Sequence, residues 1–225
     1  MLTIATLAFA VVFVAVFKKA IRRIPWAFYI AAFALDMLVF ASPVLDIPRW
    51  LGETVVLANV RCLFAFGLLL VVMFTGVLRN GSALKAWLSP IRAELSIIAA
   101  ILTVGHIARY AGMYSLRALQ NPASMGNGLM VSFAVSLLLV ILLAVLTVTS
   151  FGAVKRRMGA LRWKALQRLS YVFYGLVYVH VLLIMMRSAL AGGLNAQISI
   201  MTYGAILVVY AVLRIRRWRL DRVNR

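Results

Sequence analysis

Seven long, nearly uninterrupted apolar runs divide this chain, at roughly 2–17, 25–45, 54–78, 93–113, 129–151, 169–186 and 198–213. Crossing a bilayer core as a helix takes about 20 apolar residues, and fewer where flanking side chains snorkel. No water is present there to satisfy backbone N–H and C=O groups, so such runs are expected to be helices and not lone strands. They are continuous, not alternating, which argues against a β-barrel. Composition agrees: 65% of the residues are hydrophobic and 13% are charged, where a soluble domain carries about 25% charged residues. An ordinary cytosolic enzyme, a disordered chain and a collagen-like chain are excluded. The expectation is an all-α integral membrane protein in contact with membrane lipid, a single transmembrane domain over 1–225 with about seven transmembrane helices.

The chain has 24 Lys and Arg against five Asp and Glu, a net charge of +19. In a soluble protein this would suggest nucleic acid; here the placement of the charges argues for topology instead, and no nucleic-acid partner is expected. Lys18, Lys19, Arg22 and Arg23 follow the first run, and Arg79, Lys85 and Arg92 follow the third. Lys155, Arg156, Arg157, Arg162, Lys164 and Arg168 follow the fifth, and the tail 214–225 carries Arg214, Arg216, Arg217, Arg219, Arg222 and Arg225. These alternate segments hold 19 of the 24 basic residues. Cytoplasmic loops carry the excess of Lys and Arg, so the N-terminus is expected outside and the C-terminus in the cytoplasm. The first run has no basic residue before it and no A-x-A-like exit, so no cleavable signal peptide is expected. Cys62 is the only cysteine, which excludes an internal disulfide and a thiolate cluster. The stretch 162–168 reads as an amphipathic lead-in to the sixth helix.

The two histidines carry the chemistry. His106 and His180 both lie within apolar runs, where an ionisable side chain is expensive and a functional candidate. Counted from the expected inner ends of their helices, they lie about 20 Å and about 17 Å along, at similar depth. Two imidazoles at one level on two helices can ligate a haem iron axially, because the porphyrin supplies the other four ligands. A small divalent metal would want three or four protein ligands. Gly105 and Gly175 lack side chains that would keep a flat macrocycle from the backbone, and Arg109 is placed to pair with a propionate or to anchor the helix at the interface. Other readings stay open at this point: the histidines could bond each other across helices or line a proton path. Met185 and Met186 read as apolar filler. Asp36 and Arg61 read as an intramembrane ion pair between the second and third helices, with a role in proton or quinol chemistry as the alternative.

The order of motifs from about 92 to 186 resembles the ferric-reductase-like transmembrane family. The carrying residues are Arg92, then a helix ending in Gly105-His106 and Tyr110, then Leu146-Thr147-Val148-Thr149-Ser150. The basic segment Lys155-Arg156-Arg157-Met158-Gly159 follows, then Arg162-Trp163-Lys164-Ala165-Leu166-Gln167-Arg168-Leu169-Ser170-Tyr171, and His180. Within the family the chain is most similar to the MsrQ branch, the haem-binding membrane subunits of periplasmic methionine sulfoxide reductase systems.

The resemblance implies a six-helix core, about 25–213, with an added N-terminal helix, about 2–17. It also implies a multi-pass location in the bacterial cytoplasmic membrane. Heme b would be held by His106 and His180, with an FMN or quinone as a further candidate cofactor. One departure matters. The family pattern Trp-x-x-Leu-His has Gln167 in place of its histidine, so one haem per chain is expected. Larger relatives carry a flavin and nicotinamide domain after the last span. This chain has no Gly-x-Gly-x-x-Gly, so an electron-carrying subunit is expected and not a complete oxidoreductase. Its donor would be a separate flavoprotein or quinol, and its acceptor a redox partner outside the cytoplasm. The competing expectation is a small transporter or channel with a His/Asp/Arg path.

Overall fold

The computed structural model describes residues 2–121 and 125–223; it is 88% helical, with no strand among the described residues. The helices in chain order are α1 (Leu2–Arg23), α2 (Pro25–Ala41), α3 (Arg49–Leu51), α4 (Leu57–Val60), α5 (Leu63–Thr75) and α6 (Ala83–Leu88). They continue with α7 (Arg92–Gln120), α8 (Gly126–Val148), α9 (Gly152–Met158), α10 (Ala160–Gln167), α11 (Leu169–Leu190) and α12 (Leu194–Val223). A π-helical turn, Gly52–Val56, joins α3 to α4, and a 3-10 turn, Ser89–Ile91, joins α6 to α7.

All seven apolar runs are helical, but their limits and continuity differ from expectation. Five helices are long and apolar enough to cross a membrane, and a sixth is added if Arg49–Val60 and Leu63–Thr75, bent by 50°, count as one span. The expected third span, 54–78, is therefore a broken one. The second is short: α2 has 17 residues and stops at Ala41, just before Pro43, which cannot donate to a helix. Its start is marked by Pro25 in the first helical turn, where the missing N–H costs nothing. The seventh run, read as 198–213, lies inside the much longer α12, which carries the helix through Arg222; Arg225 lies outside the described residues. The basic segment 152–168 forms two short helices, α9 and α10, and the stretch read as a lead-in to the sixth helix lies mostly in α10.

By backbone proximity the chain forms two compact units, Met1–Tyr110 and Ala111–Arg225. In the first, α5 is the central helix, with Leu63, Ala65, Phe66, Leu68 and Leu69 buried. Helix α1 turns a stripe of Thr3, Thr6, Ala10 and Val14 inward, the three-to-four spacing of one helical face. The two helices meet at small residues: a Cβ added at Gly67 of α5 would lie 2.5 Å from the Ala10 Cβ of α1. Such pairs let helix backbones approach where lipid supplies no hydrophobic drive to associate. Above and below, phenylalanines fill the seam. Phe13 meets Phe64 at 5.3 Å edge-on and Phe28 of α2 at 6.0 Å.

In the second unit α11 packs between α8 and α12. Gly204 of α12 gives room to Tyr178 of α11, whose hydroxyl would lie 3.0 Å from an added Cβ. At the start of α11, Trp163 donates from its indole N–H to the Thr149 carbonyl at 2.9 Å, and the Gln167 amide donates to the Thr149 hydroxyl at 2.9 Å. These bonds tie α10 to the end of α8. The outward faces of the long helices are apolar: Val16 is 66% exposed, Ile141 60% and Met201 72%. That surface suits lipid.

Replacing Gly67 by Val is expected to force α1 and α5 apart and to cost about 1–3 kcal/mol. The check is the midpoint of thermal unfolding in detergent, which should fall; an unchanged midpoint would mean that the close approach contributes nothing.

Candidate functional site

In the first unit a polar cluster grows from the break between α4 and α5. Arg61 leaves the helical region and Cys62 takes φ 58° and ψ 21°, a left-handed conformation that costs a residue with a Cβ roughly 1–2 kcal/mol. A helix end leaves carbonyls without the amide that would otherwise follow them. Here the Val60 carbonyl accepts from His106 Nδ1 of α7 at 2.6 Å. A carbonyl cannot donate, so the proton is on Nδ1 and the lone pair is on Nε2. The ring also lies against Tyr110, with centroids 5.0 Å apart. Thr103, one turn before His106, donates to the Ala99 carbonyl at 2.7 Å. Its hydroxyl oxygen therefore accepts the Cys62 thiol hydrogen, with sulfur and oxygen 3.5 Å apart.

Asp36 of α2 enters the same region. Its Oδ1 accepts from Asn59 Nδ2 at 2.9 Å and its Oδ2 from the Gly105 N–H at 3.1 Å. Asp36 and Asn59 are each 1% exposed. A Cβ at Gly105 would collide with Asp36 Oδ1 and lie 2.8 Å from its Cγ. Gly105 is thus required by a carboxylate. The expected ion pair is absent: Arg61 is exposed, and the one salt bridge among the described residues joins Arg49 to Glu53. Nearer the start of α7, the Tyr29 hydroxyl of α2 donates to Glu94.

A separate histidine contact lies in the other unit. His180 of α11 is 3.0 Å through Nδ1 from the Ser136 hydroxyl of α8. That hydroxyl gives its own hydrogen to the Ser132 carbonyl at 2.7 Å. With the Ser136 hydrogen so placed, His180 Nδ1 is the donor and the lone pair is on Nε2. Gly175, five residues earlier on the helix, has no atom within 4 Å of where its Cβ would be, so that face is open. Arg109 is exposed, three residues beyond His106. The sequence-expected residues fall into two sets: His106, Gly105 and Arg109 in the first unit, His180 and Gly175 in the second.

Sequence reasoning missed four partners, Asp36 at Gly105, Asn59, the Val60 carbonyl and Ser136, since each depends on contacts between helices. Among the described residues no three His, Cys, Asp or Glu side chains cluster as a small metal ion would need. Each imidazole is oriented by a bond from Nδ1 to an uncharged oxygen, as in many metal-ligating histidines.

A bacterial relative shares much of this sequence. The chain is 44% identical over 154 residues to an uncharacterised protein of Treponema pallidum (strain Nichols), an alignment covering 68% of this chain and 42% of that protein. The chain thus spans less than half the length of that relative. No family model matches the sequence. No solved structure matches it.

The glycines give a sharp contrast. Gly105→Ala is expected to displace Asp36 and lose its bond to the backbone, at a cost of about 1–3 kcal/mol. Gly175→Ala should be neutral or stabilise by about 0.5–1 kcal/mol, since alanine is the better helix former and the space is open. Thermal unfolding of both purified variants decides it; equal losses would contradict the placement of Asp36.

Proposed function

We propose that this chain is a membrane b-type cytochrome subunit of the ferric-reductase-like family that relays electrons to an acceptor outside the cytoplasm. The observation that carries the reading is the shared state of the two histidines. His106 and His180, on different helices, both donate from Nδ1 to a neutral oxygen and both carry the lone pair on Nε2. That tautomer, held by a second bond, is the one an axial ligand needs. His106 and His180 would hold one heme b per chain. Bound there, the haem would accept and pass on single electrons, and its potential would be tuned by the two imidazoles and their hydrogen bonds. The chain's own residues orient the rings and keep water away. The Val60 carbonyl and Ser136 would orient the two rings, the open space at Gly175 would admit a flat group, and Arg109 would pair with a propionate.

In this reading the chain crosses a bacterial cytoplasmic membrane seven times, with the basic segments inside. The broken pair and the short α2 count as spans. Electrons come from a separate flavoprotein or quinol, with FMN or quinone as a second cofactor, and leave to an extracytoplasmic redox partner, as in methionine sulfoxide repair. Gln167 fits a single haem, because its amide is spent on Thr149.

One observation favours a second reading, a small transporter or channel. The span is broken at Arg61–Cys62, beside the buried Asp36 and Asn59, and interrupted helices with polar groups at the break are how transporters build ion sites. Colour separates the two. The dithionite-reduced minus oxidised spectrum of the purified protein should be that of a low-spin b-type haem, near one per chain. His106→Ala and His180→Ala should abolish it. Ser136→Ala should retain the spectrum but weaken haem binding about 10–100-fold, the usual effect of removing a partner that orients a ligand. A protein that stays colourless after haem reconstitution would put the transporter reading first.

A further inference from the structure

We propose that Asp36 and Asn59 form a proton-binding site at the bend between α4 and α5. The inference does not rest on the electron-relay reading and holds whether or not a haem is bound. Asp36 has two donors, Asn59 Nδ2 and the Gly105 N–H, and makes no salt bridge among the described residues. Beside it, Asn59 Oδ1 is buried and has no hydrogen-bond partner. An unbalanced carboxylate thus sits beside an amide whose oxygen has no donor, and with the amide turned one hydrogen on the carboxyl pairs the two oxygens.

The geometry accommodates that hydrogen with one small movement. The oxygen and nitrogen of a carboxamide have nearly the same size and exchange places on a half-turn. With the nitrogen towards Asp36, Asn59 donates to a carboxylate. With the oxygen towards Asp36, the same 2.9 Å separation is within the range of an O–H···O bond from a protonated carboxyl. The other carboxyl oxygen keeps the Gly105 N–H in both states. The proton arrives from water, forms an O–H bond at Asp36 Oδ1 and leaves to water as that bond breaks; no other covalent bond changes, the Asn59 N–H bond to Asp36 gives way to the O–H···O bond, and the site goes between a charge of minus one and zero.

The neighbours do not supply the missing charge. From α4 the facing group is the Asn59 amide, and Arg61 beyond it is exposed. From the bend comes Cys62, within electrostatic reach of Asp36 and committed to Thr103. From α7 come Thr103, the Gly105 amide and, next along the chain, His106, whose Nδ1 is held by Val60.

The test is infrared spectroscopy of the full chain in lipid nanodiscs, with isotope-labelled aspartate. The chain has only three aspartates, Asp36, Asp46 and Asp221. Wild type should show a labelled carboxylic C=O band that is lost as pH is raised and is missing from Asp36→Asn. If Asp36→Asn does not fold, Asn59→Leu carries the test: the band should persist but move, because its hydrogen-bond acceptor is gone. A labelled spectrum the same at every pH, or a wild-type spectrum superimposable on that of Asp36→Asn, would overturn the proposal. So would a band that responds to exchanging sodium for choline at constant pH, which would make the site's ligand a metal cation.

Discussion

Hydrocarbon offers a backbone carbonyl no donor, and leaving one unpaired costs several kcal/mol. The bend at Arg61–Cys62 creates that problem in the middle of an apolar stretch, and the imidazole of His106 answers it by donating to Val60. The two features support each other. The bend gives His106 a fixed partner, and the partner fixes which ring nitrogen carries the proton. A continuous helix over 54–78 would have turned the Val60 carbonyl along its own axis and left the imidazole of α7 to find another acceptor.

The same bend accounts for the polar residues around it. Asn59 lies in the last turn of α4, so its amide reaches Asp36 across the break. Asp36 in turn takes the Gly105 N–H, which is accessible only because position 105 has no side chain. Three helices, α2, α4 and α7, are thereby joined through one carboxylate at the level of a candidate ligand. The second unit reaches an equivalent state for His180 by simpler means. A serine one helix away, itself satisfied by Ser132, leaves an oxygen that can only accept. Two unrelated local contacts, one to a backbone carbonyl and one to a serine, thus hold the two imidazoles through Nδ1.

What could be read directly from the sequence was whatever depends on a helix and its solvent. Seven apolar runs are helices, because hydrophobic length and the need for internal backbone bonding are local properties. His106 and His180 stood out as candidates for the same reason, since nothing apolar explains them. The break was not legible: it falls at Arg-Cys, with no proline or glycine to announce it, and its cause is tertiary. Asp36 was legible as a buried acid but not its partners. Charge complementarity pointed to Arg61, yet the chain satisfies the carboxylate with neutral donors and leaves the arginine exposed. Gly105 was expected to make room and does so, for a carboxylate of this chain in place of a flat cofactor. Gln167 was read only as an absent ligand, whereas its amide helps to fasten α10 to α8.

Neutral partners around a buried acid have a consequence for either reading of function. An arginine paired with Asp36 would have locked its charge and made the cluster structural alone. Neutral donors, one of them a side-chain amide that can rotate, hold the group in place without deciding its charge. A site through which charge moves, whether electrons or protons, needs groups that can respond without unfolding the helices that hold them. In the first unit that freedom is confined to one side-chain amide. The Gly105 and Val60 backbone groups, which fix the positions of α2, α4 and α7, keep their bonds throughout. Rigidity and response are thus assigned to different atoms of the same cluster.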